Sequence, residues 1–206
     1  MFKLASAALM TAAAALPIGS ASAEPQTFDF GDPKGVNGIT FIADSIYEPF
    51  VGFAGTVEGT VTFDPENPED FSGEISVPVS DMSVPNPTMT DHLRGPEWLG
   101  VNNSPKVVVK LDSVDTATKD AAGLHLLTVN GSVSLGDMSI DKVFTVRANV
   151  LENGAATRGG AESGDLLVLR SEFQVDRSEL GVKPEMGGEK VAELVTVIAP
   201  IVGYAE

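Results

Sequence analysis

Apolar residues recur at every second position over most of this chain, and no other feature constrains its fold so strongly. Period two sends successive side chains to opposite faces of an extended strand, so one face can be buried while the other meets water. The segment Lys142–Leu151 is the cleanest case: Phe144, Val146, Ala148 and Val150 alternate with Thr145, Arg147 and Asn149. The same pattern predicts strands over Gly38–Ile46, Phe53–Phe63, Phe71–Ser80, Lys106–Asp112, Leu124–Leu135 and Asp165–Asp176. A last strand, Val191–Val202, is apolar on both faces. Turn chemistry separates the runs: Asp64-Pro65 with Asn67-Pro68 ends one, and Asn153-Gly154 opens a loop after another. Pro78 falls on an outward position, where its missing N–H demotes that end of the strand to an edge or a bulge.

Eight such strands, with no internal repeat and mostly short connections, predict an all-β fold: an eight-stranded antiparallel barrel that leaves no open edge. A two-sheet sandwich meets the same periodicity. Several inward positions are small, namely Gly55, Gly59, Gly131, Ala148 and Ser171. They either leave room for a ligand or relieve bends in tightly coiled strands.

One stretch breaks the regularity. Between the third and fourth strands, Thr90 to Pro105 reads TDHLRGPEWLGVNNSP and holds the only Trp and one of the two His residues. Thr88 with Asp91 three residues on has the form of a capping box, so a short helix is expected here. Leu93 and Trp98 would close the apolar interior, with Asp91, Arg94 and Glu97 toward water and His92 as a hydrogen-bonding anchor. The segment reads as a lid over one barrel end.

Near the start of the chain stand Lys3, an apolar run over residues 4–17 and a small-residue Ala21-Ser22-Ala23 site, the pattern of a cleaved secretory signal. The expectation is an exported, periplasmic domain over residues 24–206 that does not span the membrane. The formal charge of −16 argues against nucleic acid and anionic lipid surfaces as partners. The chain has no Cys, so the core carries its stability without disulfides.

Catalytic chemistry finds little support. His92 and His125 are the only histidines, and neither has a second metal ligand at a spacing of three to five. No nucleophile elbow or phosphate-cradling loop occurs. Asp64, Glu66, Glu69 and Asp70 sit among prolines and read as a turn rather than a calcium loop. Neither enzyme activity, nor a metal, nor a cofactor is expected.

Three blocks resemble the YceI family: Asp81–Val114, with its Asp-His-Leu and Trp-Leu pairs; Leu127–Val150, two strands around a Gly turn; and FQVDRSELGV, Phe173–Val182. The sequence departs from that family at Glu179 and Leu180 and at Met138–Asp141, and it has no His-Ser pair in its first strand. The resemblance implies a lipocalin-like barrel that binds a polyisoprenoid lipid or isoprenoid quinone as carrier or sequestering protein. Such a ligand needs an apolar wall, to which each buried methylene adds about 0.8 kcal/mol. The inward phase supplies candidates for it: Phe53, Val57, Val61, Ile75, Val109, Val129, Phe144, Val146, Leu167, Leu169 and Phe173, with Leu93 and Trp98 from the lid. Arg177 ends its strand on the same phase, suited to an ion pair or to a phosphate headgroup. The alternative is an interaction module with a filled core that dimerises through its last strand.

Overall fold

A computed structural model describes residues 24–100, 102–103 and 106–206. The signal sequence read over residues 1–23 lies outside them. Ten strands form: β1 (Gln26–Asp29), β2 (Ile39–Ala43), β3 (Phe50–Ala54), β4 (Glu58–Phe63), β5 (Ser72–Pro78), β6 (Lys106–Lys119), β7 (His125–Leu135), β8 (Met138–Leu151), β9 (Leu166–Asp176) and β10 (Leu194–Ala205). Two short helices join them, α1 (Pro87–Arg94) and α2 (Gly154–Arg158).

All described neighbours pair antiparallel, in the order β1-β4-β5-β6-β7-β8-β9-β10, and β10 returns to β1, closing an eight-stranded barrel. β2 and β3 complete its other end. β2 pairs with β10 at Thr196–Ile198, and β3 bridges Ser83 beyond β5 through Phe53. Thus β1 and β2 are two pieces of one barrel strand, and β3 and β4 are two pieces of the next. Periodicity located the second piece of the first strand, missed Gln26–Asp29, and read the second strand as continuous from Phe53 to Phe63.

That interruption corrects one inward assignment. Phe53 is half exposed, whereas its neighbours Gly52 and Ala54 are buried. The Phe41 ring lies over Gly52, where a Cβ would approach it to 2.0 Å, so the inside of β3 is already filled. Residues 55–57 then leave the ladder, and the Asp81 carboxylate holds the Gly55 and Thr56 N–H groups at 2.7 and 2.5 Å. The slip restores inward phase only at Val57, Val61 and Phe63, all buried.

The excursion between β1 and β2 is tied down by charge. Asp32 accepts both guanidinium nitrogens of Arg158 at 2.8 Å and the backbone N–H groups of Lys34, Val36 and Asn37. This holds its carboxyl well below the usual range, the Arg158 hydrogen bond being the largest cause. Arg158 also donates to the Tyr204 hydroxyl and lies over its ring. Through this contact α2 covers part of the outward face of β10, where Val202 packs on Ala155, Leu166 and Tyr204. The apolar outer side of the last strand, which suggested dimerisation, is thus partly covered within the chain.

Two of the small inward residues serve close approach rather than space. A Cβ on Gly131 would lie 1.9 Å from the Lys110 carbonyl. Gly59 has φ +117° and faces the Glu74 carbonyl just as closely, a conformation that β-carbons disfavour. Of the five, Ser171 alone lines the cavity described below.

One end of the barrel is filled. Phe28, Phe63, Phe71, Val61, Leu127, Val129 and Leu167 are all fully buried and belong to one cluster. Among them sits His125, 2 % exposed, edge-on to Phe63 at 5.3 Å, with neither ring nitrogen hydrogen-bonded. Burial pushes its pKa below the ordinary 6.5. The unfolded chain therefore takes up this proton first, and stability falls as pH drops below about 6.5 toward the lowered folded value. His125→Leu removes two unsatisfied polar atoms, each kind costing about 1–3 kcal/mol when buried. Urea melts of this variant are expected to show about 1–2 kcal/mol greater stability at neutral pH and a larger margin at mildly acid pH. An equal or lower midpoint at both would contradict this.

Candidate functional site

The other end of the barrel is hollow. On β9 the inward residues run Leu167, Leu169, Ser171, Phe173 and Val175, and Ser171 and Phe173 remain only half-buried although they face the interior. On β10, Val195, Val197 and Ala199 do the same before Ile201 and Gly203 become buried. Val107 and Val109 repeat it on β6 before Leu111. Half-exposed inward side chains on adjacent strands surround a void, and that void measures about 200 Å³. Its floor is Leu111, Phe144, Leu169 and Ile201; its walls are apolar apart from Ser76, Ser171 and Arg177. Phe144 of the floor and Phe173 of the wall meet edge to face at 5.0 Å. A wholly filled core does not describe this barrel.

Nine of the residues proposed from sequence come together here: Ile75, Leu93, Trp98, Val109, Phe144, Val146, Leu169, Phe173 and Arg177. Val57, Val61, Val129 and Leu167 are inward as expected but lie outside the cavity lining, and Phe53 is on the outside. Periodicity could not separate the first group from the second, because both ends of a barrel strand share one phase. It also missed Phe41, Phe50, Leu180, Val182 and Val191, which line the cavity too. Phe41 had a signal in the Ile39/Phe41/Ala43 alternation; Leu180, Val182 and Val191 lie in irregular chain with no period to read.

Two segments cap the hollow end. The first holds α1, which starts two residues earlier than a cap at Thr88 would give. Asn86 is the cap and accepts the Met89 N–H at 3.2 Å, while Pro87 takes the first helical position, where no N–H is needed. No residue of α1 is buried. Leu93, Trp98 and Leu99 are half-buried against the cavity, and Arg94 Nε donates to the Met82 carbonyl at 2.7 Å. The His92 side chain is exposed, contrary to its expected anchoring role. The anchor is Thr90, whose hydroxyl donates to the Val84 carbonyl and accepts the Val84 N–H, both at 3.0 Å.

The second cap is the connection between β9 and β10, and Arg177 organises it. Its Nε donates to Ala192, one terminal nitrogen to Val182 and Lys183, and the other to Met186 and Val191, at 2.5 to 3.2 Å. A guanidinium has five N–H donors, and all five are used on backbone carbonyls. Neither the ion pair nor the free phosphate-binding group suggested by sequence describes this residue, which is 5 % exposed. The two caps meet where Lys183 Nζ lies 2.8 Å from a Glu97 carboxylate oxygen, a contact that raises the lysine pKa and lowers that of the glutamate.

The described residues hold no group of three or more His, Cys, Asp or Glu placed to bind a metal ion, and no helix among them is long and apolar enough to cross a membrane. Asp64 instead closes its own turn, accepting the Asn67 side-chain amide at 2.6 Å and the Glu66 N–H at 2.8 Å. What the hollow end can do chemically is enclose an apolar chain.

Residues 36–202 match the family model described as the YceI-like domain. Among solved structures, Burkholderia cenocepacia BcnA is 18 % identical, with 81 % of this chain and 95 % of that one covered at a TM-score of 0.61. A Campylobacter jejuni YCEI protein is 11 % identical over 75 % of this chain and 84 % of its own, also at 0.61. A polyisoprenoid binding domain from Saccharophagus degradans is 6 % identical over 89 % of this chain and all of its own, at 0.59. At these identities the likeness concerns the fold. No curated protein sequence matches.

Proposed function

Because the chain belongs to the family of YceI-like domains, we propose that it is an exported, non-catalytic carrier that holds the tail of an isoprenoid lipid or isoprenoid quinone in the hollow half of its barrel. The observation that carries this reading is the ring of inward side chains left half-buried on β6, β9 and β10 beneath a lid with no buried residue. Apolar surface left uncovered inside a fold is costly, and a hydrocarbon chain offsets that cost without any directed polar contact. The match to a polyisoprenoid binding domain supports the ligand class, and the signal-like N-terminus supports export.

Trp98 is the only tryptophan and stands at the cavity. Titration with isoprenoid alcohols of increasing length is expected to shift its fluorescence. Affinity should rise by up to about 0.8 kcal/mol for each added methylene equivalent that enters the cavity. It should then level off, because the filled half of the barrel stops the chain. No shift at any length would sink the proposal; affinity that climbs without a plateau would move the site to the outer surface.

A further inference from the structure

Resting on that reading, the structure also bears on the ligand's head: we infer that the mouth accepts an uncharged head and discriminates against a phosphate. The floor of the cavity is buried and apolar and backs onto the filled half of the barrel, so a chain enters tail first and leaves its head at the capped end. The segments that frame this end are residues 44–50, 79–100, 136–137 and 176–193. They carry eleven carboxylates against four cations: Arg94, Arg177, Lys183 and Lys190.

Three of the four cations are engaged by groups that a phosphate would have to displace or outbid. Arg177 spends every donor on loop carbonyls. Lys183 lies 2.8 Å from Glu97 and 3.9 Å from Glu185. Lys190 lies 3.9 Å from Glu48. Arg94 has its Nε on the Met82 carbonyl and stands one helical turn from Asp91. A phosphate monoester near neutral pH brings about two negative charges into this field. It loses hydration at the mouth, where Arg94 alone keeps its terminal nitrogens outside these contacts, and an anion desolvated without a full set of partners is strongly disfavoured. An alcohol or quinone head with the same tail meets no such repulsion.

The test compares geranylgeraniol with geranylgeranyl monophosphate on the full mature protein, read by Trp98 fluorescence at low and high salt. The alcohol is expected to bind at least about tenfold more tightly at low salt, with the gap narrowing as salt screens the mouth. Equal or tighter binding of the phosphate overturns the inference and leaves the carrier reading standing. So does a phosphate affinity that Arg94→Gln selectively lowers, since that would identify a headgroup donor. If neither compound binds, the isoprenoid reading fails, and this inference falls with it.

Discussion

Arg177→Ala is expected to lower the thermal midpoint by about 10–15 °C. Five backbone carbonyls of the β9–β10 connection converge on one buried guanidinium. Hydrogen bonds to a charged group contribute about 1.5–3 kcal/mol each, and carbonyls exposed by the truncation recover part of that from water. A net loss of about 3–5 kcal/mol is the result, and at this chain length each kcal/mol moves the midpoint by about 2–4 °C. Arg177→Lys should recover only a small part, because an ammonium has three donors on one atom and cannot reach carbonyls on opposite sides. Both variants should also loosen the cap that carries Leu180, Val182 and Lys183, and so weaken the Glu97 contact across the mouth. Melting by circular dichroism measures this directly. A variant that melts with the parent, but has lost affinity for an anionic ligand, would return Arg177 to the headgroup role that its strand position suggests.

The second large effect concerns volume. Ala199 faces the cavity from β10, paired across the sheet with Ser171. Ala199→Phe would place a ring in space now open to a ligand, removing room for several methylenes. At about 0.8 kcal/mol each, a loss of about 3 kcal/mol, or roughly a hundredfold in affinity, is expected. Stability should hold or rise, because the ring enters a void and displaces no packed neighbour. The same substitution in a filled core would overpack it and lower the melting point. Binding and melting data together therefore distinguish a hollow barrel from a filled one.

Periodicity made the all-β fold legible because one apolar face on each of eight strands has to be covered, and closing the sheet does so without leaving an open edge. It could not show that two of those positions are broken. The slip at residues 55–57 depends on the Asp81 carboxylate, some 25 residues away, and on a Phe41 ring that occupies the inside of Gly52. Phe53 was misplaced for that reason. The cavity was half legible. Phe144 and Val129 are neighbours in register and share one inward phase, yet only Phe144 lines the void. Their backbones lie side by side, so the difference is reach: the Phe144 ring extends over Gly131 and meets the void. On β10, Val195, Val197, Ala199 and Ile201 were hidden among apolar residues on the other face. Arg177 was read as an ion-pair or headgroup residue; its five carbonyl acceptors come from irregular chain that has no sequence signature.

The hollow half of the barrel is the centre of this account, and its occupant can be weighed. The protein, purified from its native host without added lipid, would be extracted with organic solvent and the extract analysed by mass spectrometry beside that of Ala199→Phe. The account predicts an isoprenoid species with an uncharged head, in near-stoichiometric amount with the parent and strongly depleted with the variant. An extract free of isoprenoids, or one equally rich in them from both proteins, would contradict it.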